Sequence, residues 1–276
     1  MSHFVSTDWL AEHLGDPDIV VIDGTWHLPN LGRDAAAEFE TGHIPGAVHF
    51  NIDAMADTSS GLPHMLPDAQ GFAQMAGALG IASDKTIVVY DEHGLFSAPR
   101  VWWTLKVMGA RDVKILEGGG PKWRAENRPL ESGPANPAPA AFEAKKNEDA
   151  ITGFEAVLAA TRSGAQILDA RPAPRFSGAA PEPRPGLRAG HIPGSRNLPF
   201  TDLVADGKLK SPQEIESIIA EAGIDPAQPV ITSCGSGVTA ALLALALDVI
   251  GASKVVLYDG SWAEWGSRED APVEKD

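Results

Sequence analysis

One stretch of this chain occurs twice. TGHIPGAVHFNID (residues 41–53) returns as AGHIPGSRNLPFTDL (189–203), with Gly42 matched to Gly190 at an offset of 148 residues. The flanking order repeats too. A short β-type run ending in Asp precedes each copy, IVVIDG (19–24) and QILDAR (166–171). A helical stretch and another apolar run follow, KTIVVYD (85–91) and PVITSC (229–234). Each half closes on similar punctuation, ILEGGGPKW (115–123) and LYDGSWAEW (257–265), with Trp123 matched to Trp265. The offset drifts by a few residues, as loops of unequal length produce. A chain with such a repeat folds as two copies of one unit.

The halves are joined by LESGPANPAPAAFEAKK (130–146), whose Pro, Ala and Gly content and lack of periodicity read as an extended linker. The expected division is residues 1–130, a linker over 131–147, and residues 148–276. Within each half, Val- and Ile-rich runs alternate with stretches of three-and-four apolar spacing such as PQEIESIIAEAG. SPQEIE (211–216) reads as a helix start, with Ser211 as N-cap, Pro212 in the first turn and Glu214 closing a capping box. The fold class expected is α/β, two tandem homologous domains, each a mostly parallel sheet flanked by helices. In such sheets ligands bind beyond the carboxyl ends of the strands.

The formal charge of −15 argues against nucleic acid or an anionic membrane as partner. An anionic ligand must be caught by a local basic cluster. A single cysteine among 276 residues excludes an intramolecular disulfide. The first residues, MSHFVSTDWLAEHLGD, hold no apolar run of signal-peptide length, and no stretch approaches the ~18 apolar residues of a membrane span. A cytoplasmic setting is the expectation.

That cysteine, Cys234, sits in TSCGSGVTAALLAL (232–245), between an apolar strand and an apolar helix. Gly235 and Gly237 let the backbone curl so that successive N–H groups point inward. The helix start adds partial positive charge. A thiolate is stabilised at such a place. The bland alternative is a small apolar residue packed at a strand end. In the first half, the Cys234 position falls on Asp91, and its loop EHGLFSAPR is longer with one glycine. The first half therefore lacks the nucleophile and is read as a scaffold lending residues to an interdomain cleft.

Tandem GHIPG-bearing halves with a cysteine only in the second resemble the two-domain rhodanese-type sulfurtransferases. CGSGVTA together with DGSWAEW looks most like their 3-mercaptopyruvate sulfurtransferase branch, over nearly the whole chain. The resemblance implies that Cys234 accepts sulfur as a persulfide and passes it to a thiol, such as thioredoxin or a small thiol, or to another nucleophile. Thiosulfate-using members carry Arg and Lys directly after the cysteine, where Gly235 and Ser236 stand here. A neutral loop suits a donor whose charge lies farther away, with thiosulfate:cyanide transfer as the alternative activity. By motif, Arg175 and Arg184 in RFSGAAPEPRPG (175–186) match the family's carboxylate- and carbonyl-binding arginines. Arg forks suit carboxylates better than Lys. Arg188 and Arg171 are neighbouring candidates, Arg171 reading as the partner of an acidic side chain. The loop positions Gly235, Gly237, Val238 and Thr239 complete the expected substrate contacts.

NIDAMADTSSGLPHMLP (51–67) resembles the stretch that brings Asp53 and His64 to Ser236 in a hydrogen-bonded arrangement beside the sulfur, able to protonate a departing enolate. His43 and His191 occur in both halves, which favours a structural role. Arg100, in SAPRVWW, reads as support for a domain interface. Trp262 and Trp265 are either pocket walls or core. No metal site, cofactor or dinucleotide motif is expected: the histidines are scattered and EGGGPKW is not a GxGxxG. A Cys-dependent phosphatase would need Arg six residues after the nucleophile, where Ala240 stands. A non-enzymatic persulfide carrier would need the loop but no arginine pair.

Overall fold

The computed structural model describes residues 3–276. Packing divides the chain into two compact units. The first runs up to Asp57 and includes Leu66–Asn147 and Asp206–Lys208. The second comprises Thr58–Met65, Glu148–Ala205 and Leu209–Asp276.

Each unit is built on a five-stranded sheet. The first contains β1 (Phe4–Val5), β2 (Ile19–Asp23), β3 (Val48–His49), β4 (Thr86–Tyr90) and β5 (Asp112–Leu116), in the order β1-β5-β4-β2-β3. The second contains β6 (Ile151–Thr152), β7 (Gln166–Asp169), β8 (Arg196–Asn197), β11 (Val230–Ser233) and β12 (Val255–Tyr258). The strands β9 (Val204–Ala205) and β10 (Lys208–Leu209) lie outside it. The second order, β6-β12-β11-β7-β8, repeats the first element for element. Neighbours run parallel in both sheets, as helical crossovers require. The register pairs Asp23 with Tyr90 in one sheet and Asp169 with Ser233 in the other. The residues just beyond those strand ends are Asp91 and Cys234.

Three matched pairs, Val21 with Ile167, Ile44 with Ile192 and Trp123 with Trp265, stand in the two cores. Leu10, Val21, Phe39, Ile44, Tyr90 and Trp123 cluster in the first unit. Phe154, Ile167, Ile192, Tyr258, Trp262 and Trp265 do so in the second. At ~25 cal/mol per Å² and about 200 Å² per indole, each fully buried tryptophan contributes roughly 5 kcal/mol before entropy is counted. The helix Pro212–Glu221 opens with the expected capping box between Ser211 and Glu214. Residues 131–147 hold no regular element and lie along the first unit. There Phe142 sits edge-on to Phe72 at 5.1 Å, and the Lys145 amide donates to Met108 O.

The repeated GHIPG motif has a mechanical explanation. His43 Nδ1 donates to Phe39 O at 2.8 Å and its ring stacks on Phe39 at 3.8 Å. His191 Nδ1 donates to Phe176 O at 3.0 Å and stacks on Phe176 at 3.9 Å. The main chain of each histidine then pairs antiparallel with a distant glutamate, His43 with Glu131 and His191 with Glu274. The glutamate carboxylates accept the amides of Gly46 and Gly194. Both imidazoles are thereby committed to holding a turn against a remote segment.

Candidate active site

Cys234 directly follows β11 and is 2% exposed. From Cys234 to Thr239 the chain forms an irregular loop, and helix Ala240–Val249 begins immediately after it. Gly237 turns the loop back in the left-handed region, φ +81°. Its amide donates to Cys234 Sγ at 3.1 Å. The loop is anchored from below by the neighbouring turn. Trp262 N–H donates to Cys234 O and Ala263 N–H to Gly235 O, both at 2.9 Å. Cys234 N–H donates to Ser261 Oγ at 3.3 Å. Ser236 and Val238 are buried, while Gly235 and Thr239 are half-buried.

The first unit shows what the same loop requires when no cysteine is present. Asp91 occupies the matching strand end. Its Oδ2 accepts the amides of Phe96, Ser97 and Ala98, each at 2.8 Å, and its Oδ1 accepts that of His93 at 2.9 Å. A carboxylate thus fills the nest of amides at the start of helix Ala98–Val107. In the second unit the group at this place is a sulfur.

Four charged side chains lead from the second sheet to the cysteine loop. Asp169 ends β7 and holds Arg171 through Nε at 3.0 Å and Nη2 at 2.8 Å. Arg171 is fully buried, with its guanidinium 4.3 Å from the Trp262 ring and Nη2 donating also to Gly190 O. Burial pulls the Arg171 pKa down, but Asp169 and Glu182 outweigh it and the net displacement is upward. Glu182 comes next. Its Oε1 accepts Arg171 Nη1 at 2.9 Å and Arg175 Nε at 3.2 Å, and its Oε2 accepts Arg175 Nη2. Arg175 ends the series on the short helix Ala173–Phe176. Its Nη2 lies 3.0 Å from where a Cβ on Gly235 would stand. A side chain at 235 would make the guanidinium give by a few tenths of an ångström.

The remaining expected residues fall as follows. Arg184 is half-buried in the same Pro-rich loop. Arg188 donates to Gly266 O, Ala271 O and Trp265 O, which commits it to the chain around helix Ser261–Trp265. Trp262 and Trp265 are fully buried core residues whose Nε1 atoms donate to Arg188 O and Pro272 O. His64 belongs to the second unit and is buried in the left-handed region, φ 62°. Its Nδ1 meets the main-chain oxygen of Ser236 at 3.2 Å. Asp53 belongs to the first unit, where its Oδ2 accepts Trp26 Nε1 at 3.0 Å. Arg100 is buried there, with its guanidinium 4.7 Å from the Trp103 ring.

Sequence reasoning overlooked Glu182 and Ser261. Glu182 carried a signal, being a lone carboxylate between Arg175 and Arg184 in an otherwise apolar loop. Ser261 carried one in the repeat, because the first half has Gly119 at its position. Among the described residues no group of three or more His, Cys, Asp or Glu is placed to hold a metal, and no helix is long and apolar enough to cross a membrane.

The rhodanese-like domain family matches this chain twice, over residues 6–126 and 155–268. The 3-mercaptopyruvate sulfurtransferase of Escherichia coli (strain K12) is 48% identical over 273 residues, covering 98% of this chain and 97% of that protein. The human 3-mercaptopyruvate sulfurtransferase is 44% identical, covering 96% and 92%. The thiosulfate sulfurtransferase of Mus musculus is 43% identical, covering 98% and 93%. Among solved structures, that of SseA, a 3-mercaptopyruvate sulfotransferase from Escherichia coli, matches with a TM-score of 0.88 at 45% identity. It covers 95% of this chain and 99% of that one.

Proposed function

The chain belongs to the rhodanese-like family and is a sulfurtransferase, and from that premise we propose that its donor is 3-mercaptopyruvate and its sulfur carrier Cys234. The Cys234 thiolate attacks the donor's sulfur. An S–S bond forms and the C–S bond breaks, with the electron pair passing to the donor's C3. The resulting enolate takes a proton and leaves as pyruvate. A thiolate acceptor then attacks the outer sulfur of the persulfide and regenerates the Cys234 thiolate.

The observation that carries this reading is the Arg175 guanidinium beside an uncharged loop. Arg175 approaches Gly235 closely, and neither Gly235 nor Ser236 brings a charge next to the sulfur. A monoanion whose carboxylate is remote from its sulfur matches that charge pattern. A dianion that must be neutralised at the sulfur matches it less well. Arg184 is read as the partner of the keto oxygen. The amides from Gly235 to Thr239 receive the persulfide, as the Gly237 contact to Sγ supports. Asp53, His64 and Ser236 are read as serving the protonation step. The acceptor is read as thioredoxin or a small thiol.

The test is direct. Mass spectrometry after exposure to 3-mercaptopyruvate should show Cys234 heavier by one sulfur, with equimolar pyruvate released. A kcat/KM for thiosulfate exceeding that for 3-mercaptopyruvate would overturn the donor assignment. Replacing Asp53 or His64 should slow pyruvate release more than it slows persulfide formation.

A further inference from the structure

We propose that Glu182 is the positioning residue that makes Arg175 a ready-made carboxylate receptor. This rests on the reading of Arg175 given above and adds the device that sets its geometry.

The Glu182 side chain is 1% exposed, so its carboxylate is a buried charge whose partners decide where it lies. One partner is immobile. Every nitrogen of the Arg171 guanidinium is engaged: Nε with Asp169, Nη1 with Glu182, and Nη2 with Asp169 and Gly190 O. Glu182 is therefore held from behind by an arginine that cannot turn. Its other side grips the Nε and Nη2 edge of Arg175, whose side chain is 20% exposed. An arginine fork has one such edge and one end. With the edge committed to Glu182, the end carrying Nη1 is the part presented to a donor. Charges alternate along Asp169, Arg171, Glu182 and Arg175, so an incoming carboxylate extends the alternation by one place. Without the Glu182 charge, two guanidinium groups would share one site, and Arg175 would turn away from the loop.

The distinguishing experiment compares Glu182→Gln and Glu182→Asp with Arg175→Ala, using two sulfur donors. One donor is 3-mercaptopyruvate. The other is a small alkyl persulfide without a carboxylate, which loads Cys234 by thiolate attack on its outer sulfur and releases an alkyl thiolate. For Glu182→Gln the expected result is a 10- to 100-fold rise in KM for 3-mercaptopyruvate, with kcat altered less than about threefold. Loading from the alkyl persulfide should change less than threefold, which also reports that the loop is folded. Glu182→Asp keeps the charge and should give an intermediate rise, so the question stays decidable if the glutamine variant does not fold. A wild-type KM in both Glu182 variants would overturn the proposal, as would an equal loss with both donors. If Arg175→Ala raises KM while the Glu182 variants do not, only the positioning role falls. If Arg175→Ala also leaves KM unchanged, the carboxylate-binding reading itself falls.

Discussion

The hydroxyl oxygen of Ser261 accepts the main-chain N–H of Cys234 at 3.3 Å while donating to Tyr258 O at 2.8 Å. It ties the first residue of the cysteine loop to the end of the neighbouring strand. Ser261 does so from the left-handed region, φ 48°, which costs a side-chain-bearing residue about 1 kcal/mol. The first unit has Gly119 at the matching place, φ 56°, and no cysteine to position.

Ser261→Gly should therefore leave stability within about 1 kcal/mol of wild type, as relief of strain offsets the lost hydrogen bond. It should lower kcat about tenfold or more, because the nucleophile loses its tether. Steady-state kinetics and denaturant unfolding of the same variant check both halves of the statement. An unchanged kcat would remove the positioning role.

Cys234→Asp should be inactive yet more stable than Cys234→Ala by about 1 kcal/mol. The first unit already uses a carboxylate in this place, with Asp91 accepting four amides. The comparison is between thermal midpoints of the two variants, and equal midpoints would show that the shorter second loop does not accept a carboxylate.

Arg175 and Arg188 should separate cleanly. Arg175→Ala should cut kcat/KM for 3-mercaptopyruvate about 10- to 100-fold, the range of one lost charge-assisted pair. Arg188→Ala removes donors to three main-chain oxygens around helix Ser261–Trp265 and should lower the melting temperature by several degrees. Donor KM should stay near wild type in that variant.

Asp23 gives a pH dependence of defined sign. Burial pushes its pKa up to about 6 from 3.8, against the opposing hydrogen bonds from Thr25. Below the unfolded value both states are protonated, and Asp23 adds nothing. As pH rises toward 6 the unfolded chain has already released its proton while the folded one retains it, so stability falls; above 6 the loss persists. Asp23→Asn removes that loss. Its stability relative to wild type should improve by on the order of 3 kcal/mol between about pH 3 and pH 7. Unfolding curves at the two pH values would show it, and a constant difference would contradict it. The second unit balances its matching Asp169 with Arg171, where the first has the neutral Thr25.

Much of this arrangement was legible in the residues. Strands ending at Asp23, Tyr90, Asp169 and Ser233 followed from apolar runs, and their parallel order followed from alternation with helices. Cys234 stood out because a strand, two glycines and a helix start surround it. Other features lie beyond periodicity. Glu182 acts through a Pro-rich loop whose path no repeat dictates, so its double grip on Arg171 and Arg175 appears only in three dimensions. His64 meets Ser236 through a main-chain oxygen, and main-chain atoms are the same at every position. The assignment of Thr58–Met65 to the second unit and Asp206–Lys208 to the first has the same cause, since neither segment carries a pattern that names its neighbours.

The pairs His43–Glu131 and His191–Glu274 have a consequence for how this chain endures as a folded object. Each closes a long loop by main-chain hydrogen bonds and a buried imidazole, acting on the chain as a disulfide staple would. A thiol-handling protein gains from closures that contain no sulfur. Its persulfide and its acceptor thiols can exchange freely at Cys234, and nothing holding either unit together takes part in that exchange.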